Sequence, residues 1–505
     1  MHTLARLDHR HVWHPFTQMR DWLRREPIVI VSGQGAVLRD VHGREYLDGN
    51  ASIWTNLHGH NHPKINAALE RQLSKIAHSS ALGLANEPAS RLAERLVRLA
   101  NLRIYDLRLT IDEAAESGVQ NSRNVHPPLT KVFFSDDGST ALEVALKLAY
   151  EFTRRKKGRP RPRFLSLAGA YHGDTVGAVS LGHISLFHKA YAGLLFRSDA
   201  VMAPYCYRCP YNRARPERAD ARAYRVCRWE CVDRIEEKSA AQKKRGNPYA
   251  AFVFEPLIQG AAGMIPQPSD WLQRATDIAR GHGTLLIADE VMTGFGRTGV
   301  DCRKREGKEP KSWRPPRRPP LFACQHAGVQ PDFLCLAKGL TGGYLPMAAT
   351  LTTQEVFDAF LGEHHRTFFH GHSYTANQLG ASAALASLDV LQTDASIRAR
   401  ARLQQTLSAE LQALWSLPSV GDIRQVGLMV GVELVKDWRR RTPFDLRERA
   451  GFRVCEALAR RGVLTRPIGN VVVLMPPYGT TRAQARRMIA ALGEAIAETF
   501  PVAAG

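Results

Sequence analysis

The sequence contains no long apolar run. A membrane-spanning helix needs about 20 consecutive, mostly apolar residues, and no part of the 505-residue chain approaches that length. The first residues, MHTLARLDHRHVWHPF, are interrupted by histidines and arginines and lack the apolar centre of a secretory signal peptide. We therefore expect a cytoplasmic protein without a membrane partner.

Acidic residues are few relative to basic ones. There are 48 Asp and Glu against 69 Lys and Arg, so the net charge is +21, which can indicate a nucleic-acid partner. The basic residues are spread along the chain, however, and the two local concentrations, 212–228 and 301–320, have the composition of solvent-exposed loops. Because no helix-turn-helix, zinc-finger or RNA-binding motif accompanies them, we expect no nucleic-acid partner.

Cysteine is also rare, with eight residues in the chain, and this excludes the disulfide framework of small secreted proteins. Four of the cysteines lie close together, as a C-x2-C pair followed by a C-x3-C pair. This spacing is compatible with a structural zinc site, and it is also compatible with four small thiols in an arginine-rich insertion. The four residues are Cys206, Cys209, Cys227 and Cys231.

From about residue 131 onward, short apolar segments alternate with segments of helical periodicity. KVFFS, PRFLSLAG, AAFVFEP, TLLIADEV and PDFLCLAKG have the length and composition of buried strands, and GSTALEVALKLAYEFTRR has helical spacing. This alternation predicts an α/β fold, with a mainly parallel sheet in a large domain whose helices cover both faces. A strand meander near the N-terminus and mixed elements near the C-terminus predict a smaller α+β domain.

The domain boundaries follow from the same patterns. Residues 1–65 and 391–505 are expected to form the small domain, and residues 66–390 the large one. Three segments fit the alternation poorly and are interpreted as insertions, at about 104–127, 206–245 and 301–320.

Two charged residues follow apolar strands at the edge where parallel sheets bind ligands. Lys338 comes directly after FLCLA, and Asp289 comes directly after LLIA. Burial of either charge is costly without a partner. The two residues therefore form either a simple ion pair or a site in which the lysine amine is needed in its deprotonated form.

Further features occur at the same edge of the sheet. Gly138 and Ser139 begin a helix after a turn, and the N-terminus of a helix suits a phosphate. Tyr171 in AYHGDT provides an aromatic face, and Val291 provides an apolar one. With the lysine and the aspartate, these groups meet the needs of pyridoxal phosphate. The lysine would bind the aldehyde and transfer protons, the aspartate would keep the pyridine nitrogen protonated, and Tyr171 and Val291 would contact the two ring faces.

Longer motifs resemble a known family. ADEVMTGFGRTG, LAKGLTGGYLPMAA, FFHGHSYTANQLG, HGHNHP and SDDGSTALEVALK are similar to those of the class III aminotransferases, which have the fold type I architecture of pyridoxal-phosphate enzymes. The resemblance covers nearly the whole chain outside the insertions at 104–127 and 301–320. It implies a ping-pong transamination with pyridoxal 5'-phosphate as the cofactor.

Other motifs resemble one branch of that family. HVWHPFTQM, DGNASIWTNLHGHNHP, GAYHGDTVGAVSLG and GVLTRPIGNVVVLMPPY are similar to the enzymes that convert 8-amino-7-oxononanoate to 7,8-diaminononanoate in biotin biosynthesis. An aminotransferase of the same family that acts on an ω-amino acid or a polyamine is the alternative.

The resemblance also implies roles for individual residues. It implies that His372 and Ser373 bind the cofactor phosphate of the other subunit, so that the enzyme is a homodimer with active sites at the subunit interface. It implies that Gly371 and Tyr171 contact the substrate. Arg466 in TRPIGN corresponds to the arginine that binds the substrate carboxylate, a role suited to its planar guanidinium.

The identity of the amino donor stays open in the sequence. The resemblance places Phe16 and Trp54 in an aromatic wall around the donor, with Ile53 beside them. Enzymes that use S-adenosylmethionine have a tyrosine in place of Phe16 and two consecutive tryptophans in place of Ile53 and Trp54. Because aromatic faces attract a sulfonium, the loss of one ring and one hydroxyl leaves either S-adenosylmethionine or L-lysine as the donor, and favours lysine slightly.

Overall fold

The computed structural model describes residues 1–102, 126–159, 161–300 and 318–501. The strands of the N-terminal meander are β1 (Ile30–Gln34), β2 (Val37–Asp40) and β3 (Glu45–Asp48). The strands of the central region are β4 (Leu129–Ser135), β5 (Phe164–Leu167), β6 (Asp199–Val201), β7 (Ala251–Phe254), β8 (Ile258–Gln259), β9 (Ile265–Pro266), β10 (Leu285–Asp289), β11 (Phe333–Leu336) and β12 (Ala348–Thr353). The strands near the C-terminus are β13 (Val420–Val426), β14 (Met429–Asp437), β15 (Thr442–Pro443), β16 (Val463–Leu464), β17 (Pro467–Ile468) and β18 (Val471–Leu474).

Helices connect most of these strands. The right-handed α-helices are Thr3–His11, Met19–Trp22, Pro63–Leu73, Glu87–Ala100, Gly138–Lys157, Val176–Ser180, Ser185–His188, Ala221–Tyr224, Glu230–Lys244, Trp271–Gly281, Ala323–Ala327, Gln354–Asp358, Gln378–Leu391, Asp394–Glu410, Ala450–Arg460 and Arg482–Thr499. Short 3-10 helices are Lys189–Leu194, Cys206–Arg208, Lys338–Thr341, His364–Arg366, Leu411–Ser416 and Leu446–Glu448. Among the described residues, no helix combines the length and the apolarity needed to cross a bilayer.

The central sheet has seven strands in the order β4-β12-β11-β10-β7-β5-β6. All neighbours from β11 to β6 are parallel, and β12 is antiparallel to both of its neighbours. Successive residues of one strand enter two different hydrophobic clusters: Leu286 and Ala288 lie in one, and Leu285 and Ile287 lie in the other. Both faces are therefore buried under helices, and the predicted α/β fold with a mainly parallel sheet is confirmed.

The N-terminal meander joins the C-terminal part of the chain. β3 pairs in parallel with β16, and Met475 donates its N–H to the carbonyl oxygen of Gly49 at 2.8 Å. β13, β14, β18 and β17 form an adjoining antiparallel sheet. This pairing supports the proposal that residues 1–65 and 391–505 form one small domain around the large domain of residues 66–390.

Of the expected insertions, 104–127 and 301–320 lie largely outside the described residues. Residues 212–228, which were expected to form an exposed loop, are exposed only in part: Arg213, Arg215 and Arg228 are exposed, whereas Arg218 and Arg222 pack on the C-terminal sheet. Arg218 donates to the carbonyl oxygen of Leu417 at 2.5 Å, and Arg222 donates to that of Gln425 at 2.9 Å. These two arginines therefore hold the segment against β13 and the residues before it.

Candidate active site

The strand register brings three ionisable side chains to one edge of the central sheet. Asp289, the last residue of β10, pairs with Cys335 of β11, and Lys338 lies just beyond the end of that strand. The preceding residue of β10 pairs with the last residue of β7, so that Glu255 lies beside Asp289. Because these strands are parallel, their carboxyl ends share one edge, as the sequence predicts for Lys338 and Asp289.

Asp289 is held by two hydrogen bonds. Its Oδ2 lies 2.7 Å from His172 Nδ1, and its Oδ1 accepts the N–H of Val291 at 3.1 Å. Burial alone would lower the pKa of His172, but the hydrogen bond and the charge of Asp289 outweigh it and raise that pKa. A carboxylate held by these two bonds at the sheet edge is the partner that a protonated pyridine nitrogen requires.

Lys338 begins a short 3-10 helix with a positive φ of 43° and is half-buried. Burial and the nearby Arg297 lower the pKa of its amine, while Asp289 and Glu255 act in the opposite direction. Its Nζ lies 4.6 Å from the centre of the Trp54 ring. A lowered pKa increases the fraction of neutral amine, which is the form that acts as a nucleophile and as a base.

The helix Gly138–Lys157 presents its N-terminus at the same edge. Asp137 caps it by accepting the N–H of Thr140 at 2.9 Å, and no described residue accepts the N–H of Gly138 or Ser139. A Cβ atom at Gly138 would lie 2.7 Å from Cγ1 of Val291. Only glycine fits at this position, so the open N–H groups and Val291 are direct neighbours, as an anion site beside an apolar surface requires.

Tyr171 is tied to this helix through the loop that follows β5. Ser139 Oγ accepts the N–H of Asp174 at 3.2 Å, and the Tyr171 hydroxyl donates to Asp174 Oδ2 at 2.5 Å. Burial and the neighbouring Asp174 raise the pKa of Tyr171, so that the phenol stays protonated. Phe16 lies 6.4 Å from the ring of Tyr171, and Phe187, which sequence reasoning missed, lies 5.3 Å from the ring of Phe16.

Ile53 and Trp54 lie in an unusual turn, in which four consecutive residues have positive φ angles and none of them is glycine. The angles are 48° at Ala51, 50° at Ser52, 62° at Ile53 and 70° at Trp54. A left-handed helical conformation costs roughly 1–2 kcal/mol for each such residue. The surrounding structure therefore has to hold this turn, and the turn carries the ring that contacts Lys338.

The segment that contains Gly371, His372 and Ser373 lies near the helix N-terminus of its own chain. His372 Nδ1 is 3.4 Å from Asp136 Oδ2, and the carbonyl oxygen of Ser373 is 2.9 Å from His78 Nε2. A Cβ atom at Gly371 would meet no atom within 4 Å. That His372 and Ser373 serve the phosphate of another subunit, and that Gly371 contacts substrate, stay predictions.

Arg466 is exposed and pairs with no described acidic residue. It lies between Leu464, which pairs with Asp48, and Ile468, which packs in the same hydrophobic cluster as Trp54. Its guanidinium is therefore free to bind a carboxylate, and its segment packs beside Trp54. Its role in substrate binding stays a prediction.

Sequence reasoning gave no role to three buried groups near the site. His172 and Glu255 were visible only as polar residues after strands, and Arg297 only as part of the GFGRTG motif. Arg297 is fully buried and donates to the carbonyl oxygens of Pro476 at 2.9 Å and Asn56 at 3.1 Å. It thus ties the loop after Trp54 to the C-terminal segment and places a positive charge near the amine.

The structure brings the four cysteines of the C-x2-C and C-x3-C pairs together. The four cysteines line one small cavity, yet the described residues contain no group of three or more His, Cys, Asp or Glu side chains placed to hold a metal ion. Burial raises the pKa of Cys206 to about 12 and that of Cys231 to about 11, so that both are protonated thiols when no metal is bound. That these residues, which include Cys209 and Cys227, are free thiols and do not bind zinc stays a prediction.

Glu255→Gln is expected to reduce the change in stability between pH 5 and pH 8. Burial raises the pKa of Glu255 from 4.5 to about 7, and Asp289 adds to this while His172 opposes it. The folded state holds the proton of Glu255 more tightly than the unfolded state does, so protonation stabilises the fold. This stabilisation is complete below the ordinary pKa of 4.5 and is lost as the pH rises through about 7. At about 1.4 kcal/mol per pKa unit, the effect is on the order of 3 kcal/mol.

Urea unfolding of the cofactor-free wild-type and Gln proteins at both pH values measures this difference. Other buried acids, such as Glu290, are present in both proteins and cancel. A difference between the two proteins that is the same at pH 5 and pH 8 would contradict the assignment.

The described residues fit pyridoxal phosphate. The site offers one lysine amine of lowered pKa, one carboxylate hydrogen-bonded to a histidine, and a helix N-terminus with open N–H groups that a Cβ atom at Gly138 would crowd. Tyr171 and Val291 flank this arrangement. An aldehyde, a pyridine nitrogen and a phosphate are the groups that such a set of residues can bind.

The comparisons with known proteins agree with this geometry. The family model of the class-III aminotransferases matches residues 20–310 and 317–496. The adenosylmethionine-8-amino-7-oxononanoate aminotransferase of Nitratidesulfovibrio vulgaris is 44% identical over 96% of this chain and 80% of its own length. The enzyme of the same name from Geobacter sulfurreducens is 42% identical over 98% of this chain and 97% of its own length.

Solved structures give the same result. The adenosylmethionine-8-amino-7-oxononanoate aminotransferase of Methanocaldococcus jannaschii superimposes with a TM-score of 0.81 at 36% identity and covers 98% of both chains. A PLP-bound amine transaminase from an uncultivated Pseudomonas species superimposes with a TM-score of 0.80 at 33% identity, over 97% of this chain and 99% of that one. The chain therefore belongs to the class-III aminotransferases and is a transaminase that depends on pyridoxal 5'-phosphate.

Proposed function

We propose that this enzyme transfers an amino group to 8-amino-7-oxononanoate and produces 7,8-diaminononanoate in biotin biosynthesis. The observation that carries the proposal is the convergence of Lys338, Asp289 and the helix N-terminus at Gly138 in a chain similar over nearly its full length to aminotransferases named for that substrate. The free guanidinium of Arg466 supports it, because the acceptor carries a terminal carboxylate.

Each residue of the site has a role in this reaction. Bound pyridoxal phosphate supplies an aldehyde that holds the amino group between the two substrates and a ring that accepts electrons. Lys338 binds the aldehyde and, as a neutral amine, moves a proton at its Nζ. Asp289, hydrogen-bonded to His172, would stabilise the protonated pyridine nitrogen, and the N–H groups of Gly138 and Ser139 would bind the phosphate. The reaction is ping-pong, since donor and acceptor use the same site in turn.

S-adenosylmethionine is the donor that we propose. The names of the relatives contain it. The face of the Trp54 ring can bind a cation at the site, because the centre of the ring lies 4.6 Å from Lys338 Nζ. Aromatic faces attract sulfonium as well as ammonium groups. L-lysine also carries a cation, so the assay has to compare the two donors directly.

We further propose that the enzyme is a cytoplasmic homodimer with its active sites at the subunit interface. Large apolar side chains near the site are exposed in the single chain: Phe16 is 61% exposed, Phe369 67% and Tyr374 62%. Phe369 and Tyr374 flank the segment of His372 and Ser373. Exposed apolar groups of this size next to a binding site favour coverage by a second copy.

Complementation and product analysis test the function. The gene is expected to restore growth without biotin to a bacterium that lacks the 8-amino-7-oxononanoate amination step, and the purified enzyme to form 7,8-diaminononanoate from S-adenosylmethionine. Product formed with L-lysine but not with S-adenosylmethionine would overturn the proposal that S-adenosylmethionine is the donor. Failure to complement, together with turnover of an ω-amino acid or a polyamine, would replace the proposed function with the alternative in the same family.

A further inference from the structure

The left-handed turn Ala51–Trp54 is held in place by Asp48. Asp48 Oδ1 accepts the N–H of Ser52 at 3.0 Å, and Oδ2 accepts the Ser52 hydroxyl at 2.9 Å. Oδ2 also lies 2.9 Å from His60 Nε2. Burial alone would raise the pKa of Asp48, but the hydrogen bonds from His60 and Ser52 lower it, and the carboxylate therefore stays ionised.

Asp48 is itself fixed by the fold. It is 2% exposed, it is the last residue of β3, and it pairs with Leu464 of β16. The backbone bonds of the turn, such as that from the Trp54 N–H to the Asn50 carbonyl at 2.8 Å, do not explain its left-handed form, because a right-handed turn makes equivalent bonds. The β-branched Ile53 is especially unsuited to a positive φ. Two side chains accept hydrogen bonds from the N–H groups of the turn: Asn50 Oδ1 accepts that of Ile53 at a long 3.4 Å, and the Asp48 carboxylate accepts that of Ser52 at 3.0 Å as well as its hydroxyl. The carboxylate is therefore the stronger of the two supports.

The turn determines where the Trp54 ring lies. Trp54 is its last residue, its ring contacts Lys338 Nζ, and its carbonyl oxygen lies 3.5 Å from Arg297 Nη2. If the turn relaxed to negative φ angles, the direction of the Trp54 side chain would change. The aromatic face would then leave the amine.

We infer that Asp48 is a positioning residue for the cationic amino donor: by clamping Ser52, it holds the left-handed turn that presents the Trp54 face at Lys338. This inference rests on the proposed function, in which a donor carrying a sulfonium or an ammonium group binds at that face. Asp48 touches neither the donor nor the cofactor in this role, and it acts only through the backbone of residues 51–54.

Asp48→Asn tests the inference, because asparagine keeps the shape but replaces one acceptor oxygen with an amide. The KM for S-adenosylmethionine is expected to rise about tenfold or more, in line with the loss of a hydrogen bond to a charged group, and kcat is expected to change by less than about threefold. Asp48→Asn/Ser52→Gly is expected to recover most of the KM, because glycine adopts positive φ without a clamp.

Asp40→Asn is the matched control. Asp40 is 1% exposed, ends the neighbouring strand β2, and accepts the N–H groups of His42 and Arg44 at 2.9 Å each. Within the described part of the chain it makes no hydrogen bond to residues 51–54, so its loss should lower the melting temperature and leave the KM unchanged. If both variants lower the melting temperature and neither changes the KM, Asp48 is merely structural and the inference is overturned. Failure of the glycine variant to recover the KM would also overturn it.

A second measurement does not depend on the substrate. Competitive acetylation of the full chain before it is loaded with cofactor, followed by mass spectrometry, gives the pKa of Lys338. In Asp48→Asn, the Trp54 face leaves the amine, and the pKa of Lys338 should fall by about half a unit. In Asp40→Asn, it should stay unchanged. If the wild type turns over neither donor, the proposed function fails, while this shift still decides whether Asp48 positions the ring.

Discussion

Lys338→Ala is expected to abolish multiple turnover, with kcat reduced about 10⁴-fold or more. Lys338 is the amine at the edge of the central sheet that burial drives toward its neutral form, and alanine supplies neither a nucleophile nor a base. The N–H groups at Gly138 and the carboxylate of Asp289 remain, so the protein should still bind cofactor. Steady-state assay with 8-amino-7-oxononanoate and equilibrium dialysis of pyridoxal phosphate measure the two properties separately.

Lys157→Ala is the matched control for this change. Burial also lowers the pKa of Lys157, whose Nζ donates to the carbonyl oxygen of Gly283 at 2.7 Å, far along the helix from the site. That variant should lose some stability and keep its turnover. Multiple turnover retained by Lys338→Ala would contradict the assignment of the amine.

Asp289→Asn is expected to give the second-largest loss, about 10³-fold in kcat, with weaker cofactor binding. The change removes the negative charge that stabilises a protonated pyridine nitrogen, and electrostatic partners of this kind contribute about 10²–10³-fold each. It also leaves the buried His172 without its anionic partner. Enzyme assays and cofactor titration of the same preparation measure both losses.

Asp332→Asn is the control that separates the loss of the pyridine partner from the general effect of losing a buried carboxylate. Asp332 precedes β11 and accepts the N–H of Leu286 at 2.7 Å at the opposite end of the strands. Its replacement should destabilise the sheet without affecting kcat. Nearly wild-type kcat and cofactor affinity in the Asp289→Asn enzyme would exclude Asp289 as the partner of the pyridine nitrogen.

The central sheet and its catalytic edge could be predicted from local sequence. Strands buried on both faces are nearly continuous apolar runs, so LLIAD and FLCLAK mark the strand and the charged residue at its end. Parallel pairing then brings Asp289 and Lys338 together without further information. The start of the helix at Gly138 could also be predicted, because a turn followed by apolar residues at helical spacing is a local signal.

The left-handed turn had no comparable signal. NASIWT contains no glycine at the four positions with positive φ, and the carboxylate that holds them belongs to a strand fixed by β16, near the other end of the chain. The arginines of 212–228 were interpreted as solvated for a similar reason. The partners of Arg218 and Arg222 are carbonyl oxygens of Leu417 and Gln425, and composition carries no information on such distant acceptors.

The cysteine spacing leaves a metal site undecided for another reason. Spacing indicates that four thiols can approach one another, but it does not show where their sulfur atoms point or whether they ionise. In the fold, Arg225 donates to Cys227 Sγ at 3.2 Å, and burial raises the pKa of Cys206. Side-chain direction and local desolvation depend on the packed structure, so the spacing alone cannot predict a metal site.

Borohydride reduction of the cofactor-loaded enzyme, followed by peptide mass mapping, tests the central claim most directly. Reduction fixes the cofactor to the amine that binds its aldehyde. The structure predicts that the mass of the reduced cofactor appears on the peptide containing Lys338, and on no other lysine. A label on a different residue, or no label on protein that contains stoichiometric cofactor, would contradict the site described here.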